Sequence, residues 1–183
     1  MASSLGAQPG STGAPGPYGF ETTCVACHAT HPLNPDAVGR VALEGLPERY
    51  EPGRRYRLHV TVSHADPALH RFGFQLTALA SASLDPAGEL VVTEPDRTQL
   101  MQALASDRQY LGHTLEGTAP DAAGAARWSF EWLAPPSSVG EVAFFAAANA
   151  VDEDGSKEGD RVYSPSPRPL ATLAGPPVRR ERP

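Results

Sequence analysis

The sequence is short of the features that most quickly assign a protein to a class. It has two cysteines in 183 residues, and both fall in one pentapeptide, Cys24-Val25-Ala26-Cys27-His28. They cannot staple distant segments, and a disulfide between them would close too small a loop to constrain much of the unfolded chain. No apolar run approaches the roughly 20 residues that a membrane-spanning helix requires. Basic excess is lacking too: the formal charge is −6 at pH 7. With no basic run interleaved with aromatics, nucleic acid is not an expected partner. There is no internal repeat. Ser, His and Asp residues occur, but no nucleophile elbow gathers them, so the sequence makes no case for a hydrolase. The first 17 residues are small and uncharged, without the basic and apolar regions of a signal peptide.

What the chain does have is 19 prolines and 17 glycines, a density that favours short elements over long helices. Between them the pattern alternates with period two. In residues 56–62, Tyr56, Leu58, Val60 and Val62 share one face, and Arg57, His59 and Thr61 the other. In residues 71–80, Phe72, Phe74 and Leu76 alternate with Gly73, Gln75 and Thr77. Residues 89–93, 127–133 and 142–149 continue the series, with Trp128, Phe130 and Trp132 as a bulky inward row. Turn signals separate the runs at Pro52-Gly53, Asp66-Pro67, Asp85-Pro86, Pro135-Pro136 and Asp154-Gly155. Residues 97–107 fit a helical turn as well as a strand through Leu100, Met101 and Leu104. The expected fold is all-β, an immunoglobulin-like sandwich. It spans residues 40–164, preceded by a flexible arm (1–20) and a cysteine-bearing loop (21–39), and followed by an extended Pro/Arg-rich tail (165–183).

The pentapeptide is the specific chemical signal. In a CxxCH motif two thiols add to the vinyl groups of a haem while the adjacent histidine supplies an axial nitrogen, so the motif reads as attachment of one c-type haem. Cys24 and Cys27 would be the covalent anchors and His28 the proximal ligand. A thioredoxin-like pair would want a βαβ context, and a zinc site about four ligands; neither is present. Such attachment takes place outside the cytoplasm, so an exported protein is expected, its signal removed or left out of this sequence.

The sixth ligand has several candidates: His31, His59, His64, His70, His113 and Met101. His31 lies too near His28 to reach the opposite haem face easily. His59 shares a polar face, and His64 and His70 flank the Asp66-Pro67 turn. His113 falls with Leu111 and Leu115 on an apolar face, where a lone histidine is often a satisfied core residue. Met101 would raise the reduction potential relative to a second histidine. Residues 149–160 are rich in hard oxygen donors. They do not follow the EF-hand order of ligands, so a solvated acidic turn is expected there rather than calcium.

Several motifs occur in a telling order: Gly13 to Gly16 ahead of Cys24 to His28, Leu43-Glu44-Gly45-Leu46-Pro47, Tyr50-Glu51-Pro52-Gly53, the run from Phe72 to Leu79, Tyr110-Leu111-Gly112-His113-Thr114, Trp128-Ser129-Phe130-Glu131-Trp132, and Phe144 to Gly159. Together they resemble the Reeler-like, choice-of-anchor type domains of bacterial surface and secreted proteins, over residues 13–163. The resemblance implies an immunoglobulin-like sandwich, secretion or surface display, and a haem at the N-terminal CxxCH. It also implies that His113, in its Tyr-x-x-His-Thr setting, is the distal ligand. Such proteins often continue into a C-terminal anchor; the tail here is basic and Pro-rich instead, so anchoring is not carried over.

The functional expectation is an exported monohaem cytochrome, transferring electrons rather than catalysing a reaction. Its partner would be a redox protein or neighbouring copies of itself, held through the terminal arms. The alternatives are a haem-free adhesion or interaction module and a five-coordinate haem sensor of a small ligand.

Overall fold

The computed structural model describes residues 7–16, 19–103, 106–154 and 156–176. Its strands, in chain order, are β1 (Pro15–Gly16), β2 (Gly19–Phe20), β3 (Gly39–Glu44), β4 (Arg55–His64), β5 (Arg71–Ala80), β6 (Glu89–Val92), β7 (Thr98–Gln102), β8 (Gln109–His113), β9 (Ala125–Leu133), β10 (Val142–Val151), β11 (Arg161–Tyr163) and β12 (Ala171–Leu173). They form a small β1-β2 ribbon and two larger antiparallel sheets. One sheet runs β3-β4-β9-β6. The other runs β11-β10-β5-β8-β7, with β12 also paired to β10. The two larger sheets face each other as an immunoglobulin-like sandwich.

The alternation in the sequence sets this packing. Tyr56, Leu58 and Val60 on β4 sit opposite Trp132, Phe130 and Trp128 on β9. All three β9 aromatics are fully buried against Phe72, Phe74, Leu76 and Phe144 of the second sheet. Burying a Phe-sized side chain stabilises by about 1.5–3 kcal/mol, so this row anchors the domain. Both indoles are also satisfied: Trp128 Nε1–H donates to the Gly117 carbonyl and Trp132 Nε1–H to that of Ala87, each at 2.8 Å.

The second sheet is buried on both faces along β5 and β10. Its outer face is covered by the segment that the sequence reads as a flexible arm. Ser11, Thr12, Gly13 and Ala14 are buried. The Ser11 N–H donates to Gln75 Oε1 at 2.7 Å, and Gln75 Nε2 donates to the Gln8 carbonyl at 2.9 Å. Ala14 packs with Leu79, Ala143 and Phe145. Residues 7–16 are therefore part of the domain, because β5 and β10 present an outer apolar and amide face that needs a cover. The first six residues lie outside the described ones.

The other end differs in the same way. β12 pairs with β10 through Val142↔Leu173 and Phe144↔Ala171, and Leu173 is buried, so residues 171–173 extend a sheet rather than trail from it. The basic end, residues 177–183, lies outside the described residues. Residues 98–102 are strand, not helix; Leu104 is not among the described residues.

Candidate functional site

The cysteine motif lies on a single 3-10 turn, Cys24–Ala26. Thr23 caps it, its hydroxyl oxygen accepting from the Val25 N–H at 3.4 Å. The Cys27 and His28 N–H groups both donate to the Cys24 carbonyl, at 3.2 and 3.0 Å. Neither cysteine is in a disulfide; Cys24 is half-buried and Cys27 exposed. Burial, with a smaller push from the Cys27 thiol and against a backbone hydrogen bond, drives the Cys24 thiol up to about 12.

This turn delivers His28 to the outer face of the second sheet, where two polar groups hold its ring. His28 Nδ1 is hydrogen-bonded to Asp160 Oδ2, and Asp160 is 2% exposed. Asn149 Nδ2 lies 3.4 Å from His28 Nε2. Asn149 belongs to β10, and Asp160 immediately precedes β11. Thus the first and last residues of the 149–160 segment turn inward onto the CxxCH histidine. Its other acidic groups look elsewhere: Glu153 pairs with Arg71 at 2.7 Å, and Asp152 and Asp154 accept backbone N–H groups of their own loop. Among the described residues no group of three or more His, Cys, Asp or Glu side chains is placed to hold a metal ion. The calcium reading of this segment therefore gains nothing.

His113 reaches the same patch by an unusual route. The β5-β8 ladder ends at Gln75↔Gly112, and beyond it the backbone of Phe74 is met by the His113 ring. His113 Nδ1 lies 3.0 Å from the Phe74 N–H nitrogen and 3.1 Å from the Phe74 carbonyl oxygen, accepting from one or donating to the other according to its tautomer. Residue 73 must be small for this to happen. A Cβ on Gly73 would lie 2.5 Å from Asn149 Oδ1 and 2.6 Å from His113 Cε1. Asn149 pairs directly with Gly73 across the sheet. Asn149 and His113 therefore meet over one glycine, and His28 stands against the amide of that same Asn149. Burial holds His113 below the ordinary histidine range; the Phe74 backbone opposes this and the nearby His28 adds to it. Its imidazole is thus kept neutral, the form that ligates metals.

Of the remaining sixth-ligand candidates, His59, His64, His70 and Met101 stand against other parts of the domain. His59 Nδ1 is 3.0 Å from Ser129 Oγ on the other sheet. His64 Nδ1 accepts from the Asp66 N–H at 3.0 Å, and its Nε2 faces Asp36 at 3.7 Å. His70 is bonded through Nδ1 to the Ala68 carbonyl at 2.9 Å. His31 is half-buried three residues beyond His28. The Met101 methyl sits over Gly112 on β8. Leu115, expected beside His113, is exposed because the strand stops at His113.

Asp160, Asn149 and Gly73 are site residues that the sequence alone did not single out. Gly73 left a signal there as a glycine interrupting an apolar strand, which marks a close approach; Asn149 and Asp160 stood out only as the ends of the oxygen-rich 149–160 run, read as a solvated turn.

No protein-family model matches the sequence, and no curated protein does. Among solved structures the fold is similar to the human F-spondin Reeler domain, with 24% identity and a TM-score of 0.51, covering 83% of this chain and 98% of that one. It is also similar to a structure described as the Reelin-N domain of F-spondin, with 25% identity and a TM-score of 0.52, covering 84% of this chain and 97% of that one. The chain has a Reeler-like fold. Among the described residues no helix is long and apolar enough to cross a membrane.

Proposed function

We propose that this is an exported electron-transfer protein that carries one haem c on Cys24 and Cys27, with His28 and His113 as axial ligands. The observation that carries the reading is that Asn149 lies between the two histidines, its Nδ2 meeting His28 and its Oδ1 standing with the His113 ring over Gly73, while the protein engages Nδ1 of each. A haem-ligating histidine needs its second nitrogen held by an outer partner; Asp160 supplies one and the Phe74 backbone the other. The haem would contribute a one-electron centre whose potential depends on its axial ligands and surroundings. The chain contributes two imidazoles held by its own hydrogen bonds and a rigid sheet beneath them. With both axial positions taken by protein nitrogens no site remains for a substrate, which favours electron transfer over catalysis. Export follows from the attachment chemistry, and the Reeler-like fold supports an extracytoplasmic setting. The electron donor and acceptor would be a redox protein or further copies of this chain.

One observation favours a second reading, a haem-free interaction module: Asn149 and Asp160 already satisfy both nitrogens of His28 without any cofactor.

Export in cells that attach haem separates the readings. The expected result is a mass gain of one haem and a low-spin optical spectrum, with His113→Ala turning the iron high-spin. No haem mass, with Cys24 and Cys27 free or in a disulfide, would overturn the proposal in favour of the module. Carbon monoxide binding by the unaltered protein would instead indicate a five-coordinate sensor.

A further inference from the structure

Asp160 is an acidic side chain that burial ought to disfavour. It is 2% exposed, and the His28 imidazole is the ring its Oδ2 meets. A buried carboxyl group without a partner is costly, so such groups are paired or hydrogen-bonded. A carboxylate can only accept, so the proton of this contact resides on His28 Nδ1. On the other side of the same ring, the Asn149 amide lies within reach of Nε2 through its Nδ2, a group that can only donate. An Nε2 that accepts carries no proton. The two contacts therefore agree on one tautomer, with Nδ1 protonated and the electron pair of Nε2 turned to the Asn149 amide.

We infer that Asp160 and Asn149 are positioning residues that preset the His28 tautomer before any metal is bound, and that Asp160 also sets the donor strength of His28. The preset follows from contacts within the protein and stands without a haem. The donor-strength half rests on the haem reading above. A full carboxylate on Nδ1–H draws the proton away from the ring and makes Nε2 a stronger electron donor. A stronger donor favours the oxidised metal, so Asp160 lowers the reduction potential. Chain order supports a dedicated arrangement: the two residues end a polar loop in which Glu153 meets Arg71 and Asp152 and Asp154 accept N–H groups of the loop itself.

Nitrogen-15 NMR of the imidazoles in the haem-free protein, produced without export, tests the preset. The expected wild-type spectrum has His28 as the Nδ1–H tautomer. Asp160→Ala should return it toward the mixture of a free imidazole, and Asn149→Ala should shift the Nε2 resonance. A wild-type His28 protonated on Nε2 would overturn the inference without any variant having to fold. So would an unchanged tautomer in a folded Asp160→Ala. In haem-loaded protein, Asp160→Asn should raise the potential while the spectrum stays low-spin, and an unmoved or lowered potential would overturn the donor-strength half. If no haem attaches to the exported wild type, the haem reading fails and the tautomer result remains.

Discussion

Space at residue 73 is rationed by the two side chains that meet there. The backbone of Gly73 is not left-handed, so an alanine would adopt it without strain, and the whole effect of a methyl group is steric. Asn149 Oδ1 and His113 Cε1 would both stand well inside contact distance, and both belong to buried residues. Over-packing of this kind costs about 1–3 kcal/mol. Gly73→Ala is therefore expected to lower the unfolding free energy measured in urea by that amount and to shift the ring resonances of His113. If the His113 resonances stay in place, the ring does not occupy the position assigned to it.

At the scale of elements, the cover over the outer sheet is held by a clasp three residues ahead of Cys24. Glu21 Oε1 accepts from the Tyr110 hydroxyl at 2.5 Å and from Arg108 Nη1 at 2.8 Å, and Glu21 Oε2 accepts from the Thr12 hydroxyl at 2.6 Å. The carboxylate and guanidinium are 12% and 13% exposed, so removing the acid strands a nearly buried cation. Breaking a fully buried pair costs 3–5 kcal/mol; for this slightly exposed one about 2–3 kcal/mol is expected. Glu21→Ala should therefore release the arm as a local opening, read as faster proteolysis within residues 7–28 while the sandwich persists. Alkali should weaken the same element. Burial, with Glu21 adding, holds the Tyr110 hydroxyl well above its ordinary value. Burial and Asp36 do the same for Tyr163, whose hydroxyl donates to Asp36 Oδ1 at 2.9 Å. A raised tyrosine contributes stability that is complete below its unfolded value of about 10 and is lost as the pH rises above it. Protection of residues 7–39 should hold to about pH 9 and fall above about pH 10; protection that rises with alkali would contradict the clasp. The sequence made the central strands legible, because β4 and β9 carry clean alternation and β5 and β10 are near-continuous runs of small and apolar residues bounded by turns. It hid this cover, because Ser11, Thr12 and Ala14 are small and read as linker, and their burial depends on a face made by β5 and β10, far along the chain. Asp160 was hidden for the same reason: in one dimension it is one more acid in a polar loop.

The whole molecule is closed by its ends, since the residues flanking the expected 40–164 core complete one sheet and cover its outer face. On the C-terminal side β12 lies along β10 at residues 142–144, while β11 holds the same strand at residues 148–150. Leu173 reaches the main core, with Leu170 packed against it. Arg49 and the Ala174 backbone make a further bridge next to Tyr50, whose N–H donates to the Ala174 carbonyl at 3.1 Å. The fully buried Tyr50 ring in turn stands edge-on to Trp132, 5.6 Å between centroids. Removing this segment would uncover Leu173's partners, free part of the β10 edge and loosen the ring over Trp132. Burial of one leucine stabilises by about 1.5–3 kcal/mol, and each of the few ladder hydrogen bonds adds about 0.5–1.5 kcal/mol. A chain ending at Ser164 is therefore expected to be less stable by about 3–5 kcal/mol. Such a loss is a large fraction of a typical domain's total stability. The reference for this comparison is a chain ending at Pro176, which keeps β12. Equal unfolding midpoints for the chains ending at Ser164 and Pro176 would show that β12 is an appendage and that the domain ends with β11.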